Sequence, residues 1–115
     1  MRLGNKQRLF ARLVARLLDK AHELGFEVSI GDVFRAPQAH GDYGVQGPYG
    51  RAKSNHKLKL AIDLNLFKNG KYIRSTKGHK ELGVWWEEQN ELCRWGGNFR
   101  NPDGNHYSLE HWGSY

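Results

Sequence analysis

Ser54-Asn55-His56-Lys57-Leu58-Lys59-Leu60-Ala61-Ile62-Asp63-Leu64-Asn65-Leu66 is the stretch that decides the fold. From Leu58 onward every second residue is a leucine or isoleucine. A period of two marks a half-buried strand, because successive side chains point to opposite faces of a sheet. The Leu–Ile parity goes to the core, so Asp63 and Asn65 point to the other face. A carboxylate in so apolar a strand needs a partner if it is buried. A nearby lysine or an open sheet face would serve it as well as a metal would. His56 stands seven residues before Asp63. That separation is odd, and a regular strand would put the two on opposite faces. His56 therefore belongs to the loop or bend that enters the strand.

Working outward, Asn69-Gly70 is a type I′ hairpin turn, and Lys71-Tyr72-Ile73 starts the return strand. Thr76 to Glu91 has helical character, with Leu82, Trp85, Trp86 and Gln89 or Leu92 turned inward. Arg94 to Gly104 is loop, and His106 to His111 is a short final strand. On the N-terminal side, residues 40–54 form a long glycine-rich loop with Gly41, Gly44, Gly47 and Gly50; such loops often wall a site. Phe26 to Phe34 is strand-like, with Gly31 as a bend. Asn5 to Leu24 is an amphipathic helix, with Asn5 as N-cap and Gly25 as its stop. Arg8, Arg12, Arg16 and Lys20 make a basic stripe along it: either an ordinary solvated face or a dock for an anionic polymer.

The 115 residues make one domain, 1–115. No apolar run is long enough for a membrane span. The start Met1-Arg2-Leu3-Gly4-Asn5 lacks the apolar segment of an export signal, so the chain is expected to be made in the cytoplasm. The single cysteine, Cys93, reads as a buried reduced thiol and excludes an internal disulfide. A net charge of +6 implies affinity for polyanions without choosing among nucleic acid, anionic lipid and acidic wall polymer.

A catalytic zinc site keeps three protein ligands and one open position. His22 and His79 lie in predicted helices as ordinary surface or packing residues, and His40 is undecided. In the last strand Leu109 marks the core side. His106, Ser108 and Glu110 share the opposite face, which makes His106 the natural ligand. Asp103, three residues earlier, can approach from the loop and exchange a proton with water and a leaving amine. Glu110 is its rival for that role. Arg35, at a strand end, is suited to hold a carbonyl or carboxylate oxygen, or else a surface salt bridge.

Together, Ser54-x-His56-x6-Asp63 and Asp103-x-x-His106 resemble a family of zinc peptidases. It comprises the D-Ala-D-Ala carboxypeptidases and dipeptidases and the phage L-alanyl-D-glutamate endopeptidases. Asn55 to Phe67, and Arg94-Trp95-Gly96-Gly97-Asn98-Phe99 through His106, are similar to small phage and prophage endolysin-type members. The resemblance spans residues 26–111. It implies an α+β, hedgehog/D-Ala-D-Ala peptidase-like fold: a small, mainly antiparallel sheet with helices on one face and a zinc cleft on the other. It implies one zinc ion held by His56, Asp63 and His106. Asp103 would be general base and acid, Arg35 the oxyanion helper, and Ser54, with Glu110, a supporting or substrate contact. Two departures stand out: Lys59 where the family has glycine, and Tyr107-Ser108 where it has an aromatic–acidic pair.

The function these features imply is hydrolysis of peptidoglycan stem peptides, by L-Ala–D-Glu endopeptidase or D-Ala carboxypeptidase chemistry, in a monomeric endolysin of host lysis. It would act at the cell wall, with a holin-like protein as release partner. The alternative is a catalytically silent, zinc-containing wall-binding module. Specific nucleic-acid binding is not expected, because no basic–aromatic motif recurs at regular spacing.

Overall fold

The computed structural model describes residues 1–36, 42–44 and 54–115. The glycine-rich loop expected over residues 40–54, His40 included, lies almost wholly outside them.

Helix α1 runs from Leu3 to Glu23 and buries Phe10, Leu13, Leu17 and Ala21 along one stripe. Its N-cap is Arg2, without a side-chain cap. Asn5 lies inside the first turn, where its Oδ1 accepts from Arg8 instead of capping. Gly25, at φ 90°, ends the helix in the left-handed region that glycine enters without strain. Strand β1 (Glu27–Ile30) is shorter than the extended run in the sequence. Beyond it the pairing continues by two loop contacts: Gly31 N–H donates to Asp63 O, and Asp63 N–H donates to Asp32 O, both at 2.8 Å.

Strand β2 (Ala61–Lys68) carries the alternation, with Ile62, Leu64 and Leu66 buried and Asp63 and Asn65 half-buried on the other face. Asn69 and Gly70 both have positive φ, as a type I′ turn requires, and β3 (Lys71–Tyr72) returns. A 3₁₀ turn, Lys77–His79, leads into α2 (Lys80–Gln89), which buries Leu82 and Trp86 while Trp85 is half-buried.

Part of the segment expected as loop is a strand. Strand β4 (Cys93–Trp95) pairs antiparallel with β5 (His106–Leu109), and residues 96–98 form a 3₁₀ turn. β5 is shorter than expected; beyond it His111 and Ser114 close a small bridge. The sheet order is β1-β2-β5-β4, with β3 beside β2. The fold is α+β, with a mainly antiparallel sheet and both helices packed on its leucine-rich face. Trp86 joins the layers: its ring meets Phe10 of α1 and Tyr107 of β5 edge-on, at 6.1 and 6.3 Å between centroids. Burying Trp86 is worth several kcal/mol on the scale of buried aromatic truncations, ~3–5.

Candidate metal centre

The chain reaches β2 through a 3₁₀ turn, Asn55–Leu58, capped by Ser54. Ser54 Oγ accepts the backbone N–H of His56 at 3.3 Å. Asn55 pins the turn to the far strand: its side-chain amide donates to Leu109 O at 2.7 Å and to Ser114 O at 3.0 Å. Lys59 then reverses the chain at φ 58°, in the left-handed region. This is the position where the resembled family has glycine, and lysine here adopts a backbone shape that glycine takes freely. The turn resolves the odd spacing, because His56 approaches Asp63 from outside the strand.

Register supplies the third residue. Asp63 of β2 sits directly opposite His106 of β5, so both side chains rise from the same face of the sheet. His56 Nε2 lies 3.3 Å and His106 Nδ1 3.5 Å from Asp63 Oδ1. The two imidazoles meet edge-on, 5.2 Å between centroids. Both histidines are almost wholly buried. His56 Nδ1 is 2.9 Å from the carbonyl of Val33, which can only accept, so Nδ1 is the donor there and Nε2 is the nitrogen turned to Asp63.

His56 Nε2, Asp63 Oδ1 and His106 Nε2 are buried without a hydrogen-bond partner. Buried polar atoms left so are costly. One ligand atom from each of His56, Asp63 and His106 falls within 4.8 Å of the others. Tetrahedral zinc with bonds of ~2.0–2.1 Å sets neighbouring ligand atoms about 3.4 Å apart, close to the two distances above. The donor set, nitrogen–oxygen–nitrogen, and the fixed tautomer of His56 both fit a divalent metal. Burial pushes the Asp63 carboxyl up, but the imidazoles of His106 and His56 outweigh it and hold the group well below the usual carboxylate range.

The other sequence candidates lie around this trio. Asp103 is exposed; its N–H donates to Gly96 O at 2.9 Å, and its carbonyl accepts the N–H of His106 at 3.1 Å. A side chain on Gly96 would lie 2.0 Å from the Asp103 carbonyl, so that close approach requires glycine. Arg35 is bound on two sides: Nε to Asp32 Oδ2 and Nη1 to Ser54 Oγ, each at 3.2 Å. Its salt bridge is therefore real, and it also reaches the serine that caps the His56 turn. Glu110 Oε1 accepts from Arg94 Nη2 at 3.0 Å, which ties it to β4. Ser108 Oγ, on the face of His106, is buried without a partner.

Sequence reasoning missed three contributors. Val33 orients His56 through its carbonyl, a role that any residue type fills. Asp32 holds both Arg35 and the backbone of Asp63; its place beside Gly31 on the strand exit was the available signal. Phe99 packs its ring 5.3 Å from that of His106, and Tyr115 packs on Phe99 at 4.8 Å.

Residues 49–109 match the profile of a peptidase family described as D-alanyl-D-alanine carboxypeptidase, which is more than half of the chain. The chain belongs to this peptidase family. No curated protein matches it. For this D-alanyl-D-alanine carboxypeptidase family member, the matched span takes in His56, Asp63, Asp103 and His106. Arg35 precedes it and Glu110 follows it.

Proposed function

We propose that this chain is a zinc-dependent peptidase that hydrolyses a peptide bond in peptidoglycan stem peptides, of L-Ala–D-Glu endopeptidase or D-Ala carboxypeptidase type. We place it as a phage or prophage endolysin that acts at the cell wall during host lysis. One observation carries the proposal: two buried imidazoles and a carboxylate converge, with His56 Nε2 and Asp63 Oδ1 facing each other and lacking hydrogen-bond partners, in a member of this peptidase family.

His56, Asp63 and His106 would hold one zinc ion. When bound, zinc supplies Lewis acidity, which polarises a carbonyl and acidifies water. The remaining steps belong to the side chains. Asp103, anchored by its backbone beside His106, takes the proton of the attacking water and returns it to the departing amine. Asp103 is preferred to Glu110 because Arg94 already occupies the Glu110 carboxylate. Arg35, steadied by Asp32 and Ser54, lends positive charge as the scissile oxygen becomes negative.

The test combines metal analysis with digestion of isolated sacculi by wild type, His56→Ala and Asp103→Ala. Wild type should carry about one zinc and release peptides. His56→Ala should lose both metal and activity, while Asp103→Ala should keep the metal and lose at least a hundredfold in rate, on the scale of general acid–base catalysis, ~10²–10⁴. Zinc-loaded wild type that leaves sacculi intact would sink the proposal and leave the silent wall-binding module. That second reading draws on Ser108, whose hydroxyl stands unpartnered where the resembled family has an acidic residue. Mass spectrometry of the released peptides decides which bond is cut.

A further inference from the structure

Along α1, Arg8, Arg12, Arg16 and Lys20 stand four residues apart, so a cation recurs about every 6 Å along the helix axis. Arg8, Arg12 and Arg16 are exposed. Arg12 and Arg16 have no side-chain hydrogen bond or ion pair among the described residues, and Arg8 donates to Asn5 Oδ1. Lys20, paired with Glu23 at 3.3 Å, ends the row at a groove of about 620 Å³ between α1 and α2. Lys77 and Lys80 line that groove beside Val84 and Trp85, and both are exposed. Asp19 and Glu23 flank Lys20, and Glu81 and Glu88 share the groove, so the excess of positive charge lies mainly in the three arginines. The helices pack on the leucine-rich face of the sheet and Asp63 rises from the other, which puts the row and the metal centre on opposite sides of the sheet.

We propose that this face docks a linear phosphodiester polymer without bases, of the poly(glycerol phosphate) kind, with the three arginines as its main contacts. A net charge of +6 suits any polyanion, and the surface chooses among them. Single-stranded nucleic acid is held by exposed rings on which its bases stack. No Phe, Tyr or Trp of α1 or α2 is exposed: Phe10 and Trp86 are buried and Trp85 is half-buried. A lipid surface is held by an apolar helix face sunk among the headgroups. Helix α1 buries that face in the core. What remains outside is a row of guanidiniums, each with paired N–H donors that match the geometry of a phosphate. A flexible phosphodiester chain can follow the spacing of that row. Because the row lies across the sheet from the His56–Asp63–His106 cluster, a bound polymer leaves the cluster clear. The docking does not depend on hydrolysis.

The experiment uses zinc-loaded full-length chain as wild type and as two triple variants. Arg8→Gln/Arg12→Gln/Arg16→Gln empties the row, and Lys71→Gln/Arg74→Gln/Arg100→Gln removes the same charge from other exposed positions. Circular dichroism checks that each keeps its helices. Calorimetric titration at several salt concentrations gives affinity and its salt slope for poly(glycerol phosphate), single-stranded DNA and vesicles of anionic phospholipid. Wild type should bind the polymer more tightly than either rival at equal phosphate concentration. The row triple should weaken polymer binding by about tenfold or more at low salt and lower the slope of log K against log salt by about 2, at ~0.7 per neutralised phosphate. The other triple should stay within about threefold of wild type with its slope unchanged, because contacts and not net charge carry the affinity. Arg12→Gln alone, which removes an unpaired side chain, should give about a third of the slope change. Equal losses in the two triples, or none in either, overturn the proposal. Tighter binding of wild type to DNA or to vesicles overturns it in favour of that partner. Digestion of sacculi by a chain without affinity for the polymer would overturn it and leave the proposed function standing. Polymer binding through the row without hydrolysis would do the reverse.

Discussion

His56 enters the cluster from a turn that ends on a lysine at φ 58°, and that one residue helps to set where the imidazole lies. A left-handed conformation costs a residue with a Cβ about 1–2 kcal/mol. Lysine tolerates it here with its Nζ over the Phe34 ring at 5.1 Å, a contact of the cation–π kind. Replacement by glycine removes the backbone cost but adds unfolded-chain entropy and loses the ring contact. Lys59→Gly is expected to stay within about 0.5 kcal/mol of wild type, because these effects nearly cancel. Lys59→Val adds a branched Cβ at the same φ and should lose about 1–2 kcal/mol. Urea unfolding of the metal-free chains measures both, and an equally stable valine variant would show that the turn does not need its left-handed residue. Lys59 thus holds a backbone shape that glycine takes without strain.

At the scale of elements, α2 keeps a glycine in its middle against its own propensity. Alanine would favour the helix by about 1 kcal/mol. A Cβ on Gly83, however, would fall 2.1 Å from the buried Trp95 ring, whose Nε1 donates to Gly104 O at 2.7 Å. Overpacking of this kind costs about 1–3 kcal/mol, so Gly83→Ala should be destabilised on balance, by about 1 kcal/mol in thermal unfolding. The start of the same helix carries a pH term. Burial drops the His79 pKa to about 4, and its Nδ1 lies 2.8 Å from the Tyr107 hydroxyl. A base whose folded pKa lies below its unfolded value of about 6.5 contributes stability that is complete above pH 6.5 and is lost as pH falls toward 4. The loss approaches 3 kcal/mol at about 1.4 kcal/mol per pH unit. His79→Asn should flatten the stability profile over that window, and an unchanged slope would contradict it. The elements were unevenly legible in the sequence. Alternation over eight residues announced β2, and Asn69-Gly70 its hairpin. Strand β4 is only Cys93-Arg94-Trp95, too short for a period and followed by two glycines. Its strand character comes from pairing with β5, which no local signal contains. Asn5 looked like a cap because capping residues are chosen by type, yet the helix had begun at Leu3. Parity singled out His106, while the set of His56, Asp63 and His106 came from the resemblance. Val33 and Phe99 were not legible, because a backbone carbonyl or a packed ring leaves no sequence signature, and Asp32 offered only its place beside Gly31.

At the scale of the whole molecule, a metal held by the cluster would couple binding to folding. Its three donors come from the turn before β2, from β2 and from β5, so a metal ties the connection to the centre of the sheet. A ligand that binds only the folded chain adds about 2.7 kcal/mol at a hundred times its Kd. For a chain of this size that is a rise in Tm on the order of 10 °C. Zinc should produce the shift, a chelator should reverse it, and His56→Ala should abolish it in differential scanning calorimetry. A wild-type Tm indifferent to zinc would mean that the trio does not hold the ion. Among the described residues no helix is long and apolar enough to cross a membrane.

The pairing of Asp63 with His106 also has a consequence for synthesis. A ribosome makes the chain from its N-terminus, so His56 and Asp63 emerge while the strand that bears His106 is still untranslated. Until that strand docks, the nascent chain offers two donors and no enclosed centre. The cluster is therefore complete only once β5 has been made and has docked beside β2.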